Sequence, residues 1–157
     1  MDDRALIQEQ TNASHGIIKH CLADISDEEA CRIPNAALSP IIWQVGHLAL
    51  VNLAFIKRAG IVTAASVPES YGGLFATGTG GKADYPALES VVKTMDDTHD
   101  ALIRAVGEAN LDAVNEGPRG LWNNVAGMFA FSTTHRWYHI GKITTLRALL
   151  GKPRLFG

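Results

Sequence analysis

Residues 39–60 read SPIIWQVGHLALVNLAFIKRAG, and the fold class turns on them. Ser39 is a good helix N-cap, and Pro40 suits the first helical position, where its missing N–H would find no intrahelical partner anyway. Gly60 follows Lys57 and Arg58 as a stop signal. Between these signals Ile42, Trp43, Val45, His47, Leu50, Val51, Ala54 and Phe55 cover a broad apolar face. A helix so apolar must bury that face against other elements.

Further helices lie on both sides. The first runs from about Asp3 to Ala23, with Leu6, Ala13, Ile17 and Cys21 at helical spacing. Ser26 with Glu29 makes a capping box for a single turn ending near Cys31, which Pro34 breaks. A third long helix is expected from Asp84, with Pro86 in its first turn, to about Ala109. It carries Leu88, Val91, Val92, Met95, His99, Leu102, Ile103 and Val106. A fourth runs from Leu121 or Trp122 to Leu150, ended by Gly151 and Pro153. Residues 61–83, with the stretch PESYGGLFATGTGGK, read as a long loop. No segment alternates with the period of two that a half-buried strand needs. The expectation is an all-α four-helix bundle, one domain over residues 1–157.

Composition narrows the function. Hydrophobic content of 46% with 19% charged residues fits a soluble globular chain. A net charge of -2, with Lys and Arg scattered, gives no footprint for nucleic acid. The longest apolar segment contains Gln44, His47 and Asn52 and falls short of a membrane span. The acidic, polar start MDDRALIQEQ is unlike a secretory leader, so a cytoplasmic location is expected. Cys21 and Cys31 are too few for a disulfide framework and read as reduced thiols without a nucleophilic role.

The candidate chemistry lies in histidines. Residues 131–143 read FSTTHRWYHIGKI. Helical positions four apart lie about 5–6 Å from each other at Cβ, so His135 and His139 can converge on one point. The metalloprotease pattern HExxH is absent, since Arg136 stands where its glutamate would be. Two ligands do not make a site, but Phe129, Phe131, Trp137, Tyr138, Ile140 and Ile143 surround this pair, and buried imidazoles need partners. His47, in the middle of the second helix, is the candidate third ligand. Three neutral imidazoles with an open position form a known catalytic metal arrangement. His99 is a weaker fourth candidate because Asp96, Asp97 and Asp100 suggest a solvated flank. His15 and His20 read as surface or supporting residues. Trp43 and Tyr138 are placed to line a pocket, Gln44 or Asn52 to orient an imidazole, and the 61–83 loop to cover the mouth. No residue is assigned as the catalytic acid, base or nucleophile.

WQVGHLALVN at 43–52, followed by HRWYHIGKITTLRALLGKP at 135–153, resembles the DinB/YfiT-like metalloenzymes of the DinB superfamily. His47, His135 and His139 fall on all three ligand positions of that pattern. Gly141, Leu146, Arg147, Gly151 and Pro153 match its flanks, while Lys142 replaces the more usual glutamine. The resemblance implies an up-down-down-up four-helix bundle with a divalent metal on these histidines at one end of the core. It also implies a low-molecular-weight thiol as co-substrate, as in the family's thiol S-transferases, and a homodimer. The family name derives from a damage-inducible gene and implies no DNA contact.

Three imidazoles leave the metal's full charge uncompensated. Such a cation lowers the pKa of a bound water toward about 7 and would equally deprotonate a thiol. Hydrolysis and thiol transfer to a small electrophile both remain open on the residues alone, and the resemblance leans toward thiol transfer. The donor set suits Zn or Ni first, with Fe or Cu as alternatives. The competing expectation is a non-catalytic helical binding module holding a structural metal or none.

Overall fold

The computed structural model describes residues 2–81 and 83–155; Met1, Lys82, Phe156 and Gly157, which the expected 1–157 domain and the 61–83 loop include, lie outside the described residues. Six helices form: α1 (Asp3–Leu22), α2 (Asp27–Cys31), α3 (Ile41–Arg58), α4 (Tyr71–Phe75), α5 (Leu88–Glu108) and α6 (Val125–Leu149). No strand forms among the described residues, and a lone bridge pairs Val114 with Asn124. None of these helices is long and apolar enough to cross a membrane.

The caps explain where helices start. Asp2 Oδ1 accepts from the Ala5 N–H at 2.7 Å, and Asn124 Oδ1 accepts from the Gly127 N–H at 2.8 Å. The Ser26–Glu29 capping box forms with both of its hydrogen bonds. Three boundaries differ from expectation. The cap position of α3 is Pro40 rather than Ser39, whose side chain caps nothing. α5 starts four residues after Asp84, because a residue preceding proline is pushed out of the helical region, and Pro86 does this to Tyr85. Its first N–H, on Leu88, is met instead by Asp27 Oδ1 at 2.8 Å from α2. α6 starts at Val125 because the preceding residues fold into a turn. There Trp122 donates its indole N–H to Asn115 at 3.0 Å, and its carbonyl accepts from the Gly117 N–H at 2.9 Å. The expected loop also contains a helix, α4, which buries Tyr71 and Phe75.

Contacts between helices give their directions. Arg4, at the start of α1, donates to the carbonyls of Gly107 and Ala109 at the end of α5, and Gln8 reaches the Ile103 carbonyl at 3.0 Å. These two helices are antiparallel. Thr11 meets Thr133 at 3.1 Å and Arg147 donates to the Cys21 carbonyl at 2.6 Å, so α1 and α6 are parallel. Gln44 meets His139 and Asn52 meets Arg136, so α3 and α6 are antiparallel. The order is therefore up-down-down-up. Its parallel pair α3 and α5 needs a crossover along the bundle, which the segment carrying α4 supplies.

The core is divided. One apolar cluster joins Ile18, Ile42, Leu48, Phe75, Met95 and Ile143; the other joins Ile7, Ile56, Leu102, Val106, Met128 and Phe129. Each buried side chain of this size contributes about 1.5–3 kcal/mol. Between the clusters, all four long helices bury polar residues: Thr11 and Ser14, Asn52, Thr98 and His99, Ser132, Thr133 and Arg136. Arg136 is 1% exposed and pairs with no carboxylate among the described residues. Its Nη2 donates to Asn52 Oδ1 at 2.8 Å and to His99 Nδ1 at 3.3 Å. His99 Nε2 in turn donates to Asn12 Oδ1 at 3.0 Å, and the ring stacks on His15 at 3.8 Å between centroids.

Burial, with Arg136 nearby and against the pull of Asp96, lowers the His15 pKa to about 4. Burial, then His15 and Arg136, lower that of His99 to about 3. The native state thus refuses protons that the unfolded chain accepts below its ordinary histidine pKa near 6.5. Stability is full above that value and falls as pH drops toward about 4 and 3, by up to about 1.4 kcal/mol per pH unit for each histidine. Urea unfolding of metal-free protein should show a lower midpoint at pH 5 than at pH 7. A double His15→Asn, His99→Asn variant should show a shallower pH slope; an unchanged slope would assign the effect to other groups.

Candidate metal centre

One turn from the polar layer, α3 and α6 face each other across an antiparallel seam. α3 presents Trp43, Gln44 and His47; α6 presents His135, His139 and Lys142. Near the midpoint of α6 the structure brings His47, His135 and His139 together. One ring nitrogen from each lies within 4.8 Å of the others. Ring centroids stand 5.1 Å apart for His47 and His139, 5.6 Å for His47 and His135, and 4.5 Å for His135 and His139.

Hydrogen bonds fix two of the three tautomers. His47 Nδ1 lies 2.8 Å from the Phe75 carbonyl, which can only accept, so Nδ1 carries the proton and Nε2 keeps its lone pair. Gln44 donates its Nε2–H to the Ser39 carbonyl at 3.0 Å, which turns its Oε1 toward His139 Nδ1 at 2.6 Å. His139 Nδ1 therefore donates, and its Nε2 also keeps its lone pair. That Nε2 lies 3.1 Å from His135 Nε2. Two imidazole nitrogens bound to one tetrahedral ion at about 2.0–2.1 Å stand roughly 3.3 Å apart, so the residues fit a shared divalent cation. The buried Nδ1 of His135 has no hydrogen-bond partner, so nothing beyond the cluster fixes the tautomer of that ring.

The electrostatics favour neutral ligands. Burial, and then the neighbouring cationic or imidazole groups, lower the His135 pKa to about 4 and that of His139 to about 2. Burial lowers that of His47 too, against the opposing pull of the Phe75 carbonyl. All three are deprotonated at neutral pH, as ligation requires. No Asp, Glu or Cys joins the cluster among the described residues.

The crossover holds His47 from behind. Gly46 makes this possible: a Cβ there would fall 2.5 Å from the Phe75 ring. The missing side chain lets α4 approach α3 closely enough for the Phe75 carbonyl to reach His47. Trp43 stacks on His47 at 4.6 Å and donates its indole N–H to Thr79 at 3.0 Å. On the outer side Tyr138, 58% exposed, lies edge-on to His139 at 5.2 Å. The expected roles therefore divide. Gln44 orients the His139 imidazole, whereas Asn52 serves Arg136 and Thr98 in the polar layer. His99 is buried, not a solvated flank, and takes no part in the centre; Asp97 and Asp100 are exposed, while Asp96 pairs with His15 at 2.9 Å and the His99 ring points inward. His15 supports His99 and His20 is exposed. Sequence reasoning missed the Phe75 carbonyl, since a backbone acceptor leaves no residue signature. Gly46 beside His47 was the available signal.

Gly46→Ala should destabilise the fold by about 1–3 kcal/mol through overpacking and weaken divalent-ion affinity by displacing the Phe75 carbonyl. Equilibrium dialysis alongside urea unfolding measures both, and a variant with native stability and affinity would dismiss the close approach. Gln44→Ala should lower metal affinity roughly 10- to 100-fold, as loss of a ligand-orienting group does. Unaltered affinity would leave Gln44 a packing role only.

Comparison with known families matches residues 10–143 to the family described as the DinB superfamily. Comparison with curated proteins finds no match.

Proposed function

The chain belongs to the DinB superfamily, and from that premise we propose that it is a metal-dependent enzyme whose divalent ion is held by His47, His135 and His139. The observation that carries this reading is the pair of locked tautomers, which aim two lone pairs at the same point beside His135. Without an ion His139 Nε2 accepts from His135 Nε2 at 3.1 Å, a separation close to that of two nitrogens sharing one cation. Zn or Ni suits three nitrogen donors best, with Fe or Cu as alternatives.

The ion would supply Lewis acidity, which lowers the pKa of a thiol or water at the open position. The chain's own part is to hold three neutral ligands, keep the inner side dry with Trp43 and Phe75, and leave access beside Tyr138 and Lys142. The reaction this arrangement serves best is transfer of a low-molecular-weight thiol to a small electrophile. The sulfur bonds to the electrophilic carbon, the thiol proton passes to solvent, and the leaving group departs with its electron pair. The family and the uncompensated positive charge support the thiol; hydrolysis uses the same centre. The partner in this reading is a small molecule rather than nucleic acid, in keeping with a net charge of -2. A cytoplasmic homodimer completes the proposal, and the free thiols of Cys21 and Cys31 suit a reducing compartment.

Purified protein loaded with cobalt should contain one ion per chain by elemental analysis. His47→Ala, His135→Ala and His139→Ala should each lose most of it, while His20→Ala should not. A biological thiol should then shift the cobalt visible spectrum. Full occupancy in His47→Ala would refute the shared site. Full occupancy of the wild type with no response to thiols would turn the reading to hydrolysis, and an ion with no exchangeable position would make it structural.

A further inference from the structure

The stripe of α6 that carries His135 and His139 continues one turn on at Lys142. Its ammonium lies 4.4 Å over the Tyr138 ring, and that ring stands 5.2 Å from His139 and 6.3 Å from His135. A lysine held there borders the open side of the cluster instead of trailing into solvent; its side chain is half-buried.

Its charge has no partner. The ion pairs among the described residues use Lys19, Lys93, Arg147, Lys152 and His15, and none uses Lys142. The other charge near the cluster is the buried Arg136 guanidinium, whose Nε and Nη1 also lack partners. Among the described residues no Asp or Glu joins the histidine cluster, and no ion pair brings a carboxylate to Lys142. Lys142 and Arg136, both on α6, thus place positive charge beside the cluster. A cation beside a metal centre normally repels the metal; keeping one there makes physical sense when an anion joins them.

We propose that Lys142, steadied on the Tyr138 ring, is a subsite for a carboxylate carried by the small thiol that the centre takes, so that the co-substrate is an anionic rather than a neutral or cationic thiol. This rests on the metal reading above. The carboxylate would lie beside Tyr138 while the sulfur points inward to the histidines. Lys142 acts on which ligand is held and leaves the bond-making to the centre. A lysine–carboxylate contact at such a half-exposed position is worth a five- to tenfold difference in affinity, roughly what Coulomb attraction at about 4 Å gives near a protein surface after desolvation.

The test uses a matched pair of thiols on the cobalt-loaded protein, 3-mercaptopropionate and 3-mercapto-1-propanol, with affinity read from the visible spectrum. Any chelation by the carboxylate is the same in every variant, so the quantity compared is the preference for the acid over the alcohol. Lys142→Gln should reduce that preference about five- to tenfold and Lys142→Glu should reduce it further, while Lys142→Arg should retain it. Elemental analysis must show equal cobalt in each variant, and if Lys142→Gln loses cobalt, the comparison of Lys142→Arg with Lys142→Met decides instead. An undiminished preference in the uncharged variants overturns the subsite and leaves the metal reading standing. If neither thiol perturbs the cobalt spectrum of the wild type, the thiol reading fails. The subsite is then judged on azide against imidazole, where an equal ratio in wild type and Lys142→Gln overturns it. Failure of the wild type to take up cobalt overturns the metal reading and this subsite together.

Discussion

Two hydrogen bonds across the α3–α6 seam set the register on which the centre depends. Gln44 accepts from His139 at 2.6 Å, and eight residues along α3 Asn52 accepts from Arg136 at 2.8 Å. Both acceptors are buried, as are both donors. Sliding α6 by one residue would turn each donor about 100° around the helix and leave four buried polar groups unpaired, at a cost of about 1–3 kcal/mol each. Apolar packing alone tolerates such slips far better. The polar pairs make one alignment much better than its neighbours, and that alignment is the one in which His47 meets His135 and His139.

The buried polar layer has a price in stability, and the apolar clusters on either side of it are what offset that cost. An Arg136 without a carboxylate, next to a stacked pair of neutral histidines, is an expensive group to bury. Burial lowers its pKa to about 10, which still leaves it charged at neutral pH. Its position one residue after His135 ties it to the centre. Burial first, and then the neighbouring imidazole and this guanidinium, lower the His135 pKa.

Much of this was legible in the sequence, for identifiable reasons. The three histidines stand out because His135 and His139 sit four apart in an aromatic run, and because His47 interrupts the most apolar helix. The long helices were legible from periodicity. Their starts were less so: Pro86 delays α5 and the Trp122–Asn115 contact delays α6, and both effects depend on residues distant in space or on a turn without a strong pattern. Neighbouring aspartates are a poor guide to the exposure of His99. On a helix, adjacent residues point about 100° apart, so Asp97 and Asp100 can be in water while His99 is in the core.

The crossover shows how topology itself supplies part of the site. In a bundle of two simple hairpins, α3 and its successor would be antiparallel and joined by a short turn. Here they are parallel, so the chain must travel back along the bundle before α5 can begin. That return path passes α3 at Gly46, where the absence of a side chain lets Phe75 lie against the helix. The Phe75 carbonyl, left free because α4 ends there, accepts the proton of His47 Nδ1. Trp43 closes the arrangement by stacking on the same imidazole and bonding Thr79 further along the segment. A connection forced on the chain by helix order thus fixes the tautomer of one ligand. Shortening the crossover would therefore disturb the centre even though no ligand lies within it.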